Sequence, residues 1–143
     1  MNLNSQHSAQ RLGYLGLLPF LALAMGGLLD IYGEQAITLF IQYSAIILGF
    51  LGGVHWGMAM RTGEAESRRL GWGVVPALIG FTALVLSYWL SELVILSILA
   101  LMHLFWLNYE KRHLGHLLWY LELRSRLTFT AVALHIILII ISI

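Results

Sequence analysis

Tyr43 to Arg61 reads YSAIILGFLGGVHWGMAMR, and this stretch decides the fold. It lies in an apolar run long enough to cross a hydrocarbon core of roughly 30 Å. Gly49, Gly53 and Gly57 recur at every fourth position, so on a helix they form one stripe with Gly52 beside it. Inside lipid there is little hydrophobic drive between helices, and small residues that let backbones approach closely supply much of the association. His55 lies well away from that stripe, on the side of Leu48 and Ala59. Ionisable side chains at membrane depth face the bundle or a wet cavity, so the helix is expected to touch protein on two sides. Ile47, Phe50, Val54 and Met58 are left for lipid, and the helix is expected at the centre of the bundle.

The rest of the composition agrees. The chain of 143 residues is 59% hydrophobic and 10% charged, with a mean hydropathy of +0.83, too apolar for a soluble domain of this size. The absence of cysteine excludes disulfides, thiolate metal sites and cysteine nucleophiles. A net charge of +1 gives no sign of nucleic-acid binding.

Outward from the central stretch, the pattern predicts an all-α membrane protein with five transmembrane helices. The expected spans are Leu12 to Leu29, Ala36 to Met60, Leu70 to Leu90, Leu93 to Tyr109 and Leu127 to Ile143, forming a single domain over 12–143. Residues 1–11 read as a short, loosely held cytoplasmic tail. Ala22-Leu23-Ala24 has the form of a signal-cleavage site, but the leader carries one positive charge, so retention of the first span is the better reading. Pro19 and Pro76 fall inside the first and third spans as kink sites. Leu114, Leu117, Leu118 and Leu121 recur with helical spacing among charged residues, which predicts a short interfacial amphipathic helix before the last span.

The basic residues orient the chain. Arg11, then Arg61, Arg68 and Arg69, then Lys111, Arg112, Arg124 and Arg126 account for all 8 and fall on one side, while the opposite turns hold Asp30, Glu34 and Glu92. The positive-inside rule then puts the N-terminus in the cytoplasm and the C-terminus outside. The lack of an arginine-rich transit segment favours a bacterial inner membrane over a mitochondrial one.

Leu12 to Pro19, LGYLGLLP, resembles Leu70 to Pro76, LGWGVVP, with one gap. Each is followed by a return helix with a histidine and a tryptophan near its basic end, His55 and Trp56 in one, His103 and Trp106 in the other. Two repeated helical hairpins plus one helix would explain this, related by an axis along the membrane normal.

In LGYLGLLPF, YSAIILGFLGGVHWG and WGVVPAL the chain resembles the transmembrane-protein-69-like family, a domain of unknown function with bacterial inner-membrane members. The matching positions are Gly13, Pro19 and Phe20, then Tyr43, Phe50, Leu51, Gly52, Gly53, Trp56 and Gly57, then Pro76. The resemblance runs from about Leu12 into the last helix. It implies a five-helix membrane protein and brings no established activity or catalytic residues.

Chemistry rests on the histidines. His55 and His103, with Trp56, Arg61, Trp106 and Tyr109 nearby and His135 deeper, are the candidates for a cytoplasm-facing cavity that takes a small ligand, an anion or a proton. A haem iron between His55 and His103 is a further reading, since axial histidine is a common haem ligand. Glu110-x-x-His113 has the spacing of half a di-iron site, but the carboxylates to complete one are scattered. No zincin, nucleophile-elbow, phosphate-loop or nicotinamide motif appears, so no enzyme activity is expected and the cofactor is left unknown. The leading expectation is therefore a non-enzymatic accessory or assembly subunit, packing through its glycine-rich face against a membrane-protein partner or a second copy. A transporter built on the histidine cavity is the alternative.

Overall fold

A chain in hydrocarbon must satisfy its backbone polar groups internally, which restricts a span of this composition to helix. The computed structural model describes residues 2–61 and 67–143 and has no strand among them. Six helices follow in order: α1 (Leu3–Leu15), α2 (Leu17–Leu28), α3 (Gly33–Arg61), α4 (Ser67–Leu86), α5 (Glu92–His113) and α6 (Leu118–Ile141). Five segments are long and apolar enough to cross a membrane: α1 with α2, and α3, α4, α5 and α6. The protein is a multi-pass membrane protein. The charged stretch expected as a loop between the second and third spans falls largely on 62–66, outside the described residues.

Two segments differ from the sequence reading. The tail expected to be loose is helical from Leu3, because Asn2 caps it, its Oδ1 accepting from the Ser5 N–H at 2.8 Å. The interfacial helix expected before the last span does not form as a separate element. Residues 111–113 end α5, Leu114 and Leu117 flank a tight turn, and Leu118 onward runs without a break into α6. Leu114 is buried, and Leu123 and Arg124 face the core, so packing against the bundle competes successfully with lying on the surface.

The prolines act as their chemistry requires. Pro19 lacks the N–H that would bond the Leu15 carbonyl, and the first span breaks at Gly16 into α1 and α2. At the break itself, the Gly16 carbonyl accepts from the Tyr43 hydroxyl at 2.7 Å, tying it to α3. Pro76 stays inside α4, buried against α3. At the turn after α2, Asp30 takes a left-handed φ of 54°. The Ile31 N–H then reaches back to the Gly26 carbonyl at 2.9 Å, closing a Schellman cap.

α3 packs against α2, α4 and α5, while α6 closes the bundle against α5, α2 and α1. The centre is filled by Phe20, Phe40, Leu48, Leu99, Trp106 and Leu138, with Phe20 set edge-on to Phe40 and Tyr43 at centroid distances of 5.1 and 4.7 Å.

The glycine stripe is spent differently from expectation. The α3–α4 contact runs through Gly52, whose missing side chain leaves room for the Gly73 carbonyl and Pro76, and through Gly80, where a Cβ would stand 2.9 Å from the Ala45 carbonyl. Gly49 meets Ala77 at ordinary van der Waals distance, and Gly53 and Gly57 have nothing within 4 Å. The helix turns by about 100° per residue, and that rotation separates the packed glycine at 52 from the outward ones at 53 and 57. Ile47, Val54 and Met58, expected in lipid, are half-buried, whereas Phe50 is 64% exposed.

This assignment is testable by unfolding in detergent. Gly52→Val should cost about 1–3 kcal/mol, as overpacking does, whereas Gly57→Val should stay within about 0.5 kcal/mol. Equal losses would contradict the placement of the contact.

Candidate functional site

His55, on the α3 face that carries Leu48 and Ala59, is 7% exposed. Its ring lies against Trp106 and Tyr109 of α5 at centroid distances of 5.3 and 5.2 Å, and its Nε2 has no hydrogen-bond partner. Tyr109 continues a stacked column, with Trp106 at 4.8 Å on one side and His113 at 4.1 Å on the other. The column forms because Trp106, Tyr109 and His113 sit three and four residues apart on one helix.

His103 belongs to a different environment. Ser44 Oγ lies 3.0 Å from His103 Nε2 and 2.8 Å from His135 Nε2, and His135 Nδ1 lies 2.7 Å from the Ala131 carbonyl. A carbonyl only accepts, so in a neutral His135 the proton sits on Nδ1 and Nε2 is a lone pair. The Ser44 hydroxyl then donates to His135, and its oxygen accepts from the Nε2–H of His103. This network ties α3, α5 and α6 together where no water competes for its bonds.

The third polar feature is an ion pair between α5 and α6. Arg124 Nε stands 2.8 Å from Glu110 Oε2, and neither side chain is exposed beyond 7%. A charge at this depth is tolerable only with a partner. Glu110 is therefore committed to Arg124 rather than to a surface helix, while His113 is exposed and bonded through Nδ1 to the Tyr109 carbonyl. The half di-iron spacing thus brings no paired ligands, and the described residues contain no metal-binding cluster of three or more His, Cys, Asp or Glu.

Two cavities border these groups. One, of about 460 Å³, opens among α1, α2, α3 and α6, walled by residues such as Phe20, Val54 and Leu123, with His103, Arg124 and Thr128 on its lining. Arg124 Nη2 and Thr128 Oγ1 are buried without hydrogen bonds. The other, of about 720 Å³, lies at the basic end and is lined by Gln6, His55, Arg61, Arg69, His113 and His116. Met58, Leu117 and Trp119 line both.

The candidates drawn from the sequence are thus divided. His55 and Arg61 meet in the basic cavity, and Trp106 and Tyr109 pack beside His55. His103 lines the apolar chamber, joined to His135 through Ser44. Trp56 is 40% exposed and covers Gly73 instead of facing either cavity. His55 and His103 have separate neighbours, so no pair of axial ligands faces a common space. Sequence reasoning missed the pairing of Glu110 with Arg124, and Thr128. Thr128 lies four residues after Arg124 on α6, a spacing that places both on one face.

Over residues 5–140 the chain matches the family described as "Protein of unknown function (DUF3429)", and it belongs to that family. No curated protein and no solved structure matches it.

The ion pair has a quantitative consequence. Glu110→Leu or Arg124→Leu alone should each cost about 3–5 kcal/mol by stranding a buried charge, and the double substitution should recover most of it. The check is a double-mutant cycle of thermal unfolding in detergent. Additive losses in the double variant would mean that the two groups are not coupled.

Proposed function

We propose that the protein, a five-span member of this family, is a non-enzymatic binder of a small amphipathic molecule that reaches it from the bilayer. The observation that carries this is the chamber between α1–α2, α3 and α6. Its volume of about 460 Å³ is within the range of small-molecule sites, which are mostly apolar with a few placed polar groups. Arg124 and Thr128 supply those groups, since each has a buried polar atom with no partner in the protein. Leaving such atoms unpaired is costly, and a ligand oxygen would satisfy them. The distribution of basic residues supports an orientation with the N-terminus cytoplasmic and the C-terminus outside, and the lack of an arginine-rich transit segment favours a bacterial inner membrane.

An accessory role has its own support. Gly53 and Gly57 face outward with nothing within 4 Å, beside the exposed Phe50 and Met60, so the monomer leaves this face for lipid or another helix. Under that reading, Gly53→Ile with Gly57→Ile removes a co-purifying subunit while leaving the unfolding midpoint in place. Wild-type protein that is monomeric and partner-free after gentle extraction would sink it.

For the ligand reading, native mass spectrometry of protein extracted from its own membrane should show a small-molecule adduct. Val54→Phe, which adds a ring to the chamber wall, should lower the occupancy of that adduct sharply, and Thr128→Val should reduce it several-fold. Wild-type protein without an adduct, or an adduct indifferent to Val54→Phe, would overturn the assignment.

A further inference from the structure

The two cavities are adjacent, and their electrostatics differ. Arg61 and Arg69 bring fixed positive charge to the basic cavity, His113 and His116 bring two further imidazoles, and no carboxylate lines it among the described residues. His55 lines it too, nine-tenths buried, with Nε2 free of any partner. Guanidinium and imidazole donors converging on one space suit a phosphate, whose several oxygens accept more of them than a carboxylate can. The apolar chamber beyond is electrically balanced, because Glu110 already neutralises Arg124.

Met58, Leu117 and Trp119 belong to both linings, so they form the boundary across which one ligand could extend. From that boundary α6 runs deeper, placing Arg124 roughly 7 Å beyond Trp119 and Thr128 about 6 Å further at 1.5 Å per residue. A glycerophospholipid has the same sequence of chemistry. Its phosphate is anionic, its ester carbonyls are neutral acceptors one step deeper, and its acyl chain needs an apolar wall.

We propose that the protein holds a phospholipid in a single site, with the phosphate in the basic cavity, an ester carbonyl at Arg124 and Thr128, and an acyl chain in the chamber. This rests on the chamber being a ligand site and adds the identity of the ligand. The basic cavity draws the headgroup in by charge, as juxtamembrane cations draw anionic lipids generally. His55 donates from Nε2 to a phosphate oxygen, and Trp119 sits at headgroup level, where its amphipathic ring is at home.

The test is a native mass spectrometric titration of the delipidated full chain with phosphatidylglycerol, with diacylglycerol of the same chains, and with inorganic phosphate. Wild-type protein should bind one phosphatidylglycerol about tenfold tighter than diacylglycerol, which corresponds to about 1.4 kcal/mol. Arg69→Gln, at an exposed position where folding is not at risk, and His55→Ala should each lower the phosphatidylglycerol affinity several-fold and leave diacylglycerol unchanged. Val54→Phe should weaken both lipids. If phosphatidylglycerol and diacylglycerol bind alike and Arg69→Gln has no effect, the headgroup assignment is overturned while the chamber reading stands. If neither lipid binds, or Val54→Phe changes nothing, the chamber reading falls and this proposal with it. Inorganic phosphate that binds without competing with phosphatidylglycerol would make the basic cavity a free-anion site and overturn the single-lipid arrangement.

Discussion

Exclusion of water from the bundle interior is the constraint on which the rest of this structure depends. A polar group that loses water must find a partner in the protein or bear a penalty of about 1–3 kcal/mol, and more if it is charged. The chain meets that demand at three places. The Tyr43 hydroxyl donates to the Gly16 carbonyl at the break in the first span, Ser44 joins His103 to His135, and Glu110 pairs with Arg124. Each of these links crosses between spans, so satisfying polar groups and assembling the bundle are the same event.

Van der Waals contact sets how closely the spans approach. α3 and α4 meet at Gly52 and Gly80, where a side chain would collide with a facing carbonyl, and at Gly73, where it would be crowded. That close contact leaves α3 free to present Leu48 and His55 to α5 and its opposite flank to the chamber. Pro76 takes part because its ring lies over Gly52, filling space that an extra side chain would need.

The polar atoms left unpaired are not scattered. His55 Nε2 borders the basic cavity, and Arg124 Nη2 and Thr128 Oγ1 belong to residues of the apolar chamber. A fourth, Trp106 Nε1, is beside Glu110 in the core. In a protein that otherwise pairs its buried groups across spans, three orphans bordering two adjoining cavities make a coherent binding surface.

The sequence by itself determined the class of the molecule. Apolar runs of spanning length and breaker residues between them are local properties, and a bilayer leaves them one backbone solution. The burial of His55 beside Leu48 and Ala59 was also legible, because helical rotation alone puts those residues on one face. Tertiary structure decided which residues meet. Gly52 rather than Gly53 or Gly57 takes the close contact, because the crossing of α3 and α4, not the spacing of glycines, selects the face. Glu110 and Arg124 looked like solvated charges near a chain turn, yet the helices fold back so that the two charges meet under cover. His55 packs beside Trp106 and Tyr109, whereas His103 meets Ser44 several turns away from His55 along α3, so the two histidines border different cavities. The azimuth of each helix is set by packing against all its neighbours at once, and no single stretch of sequence encodes that.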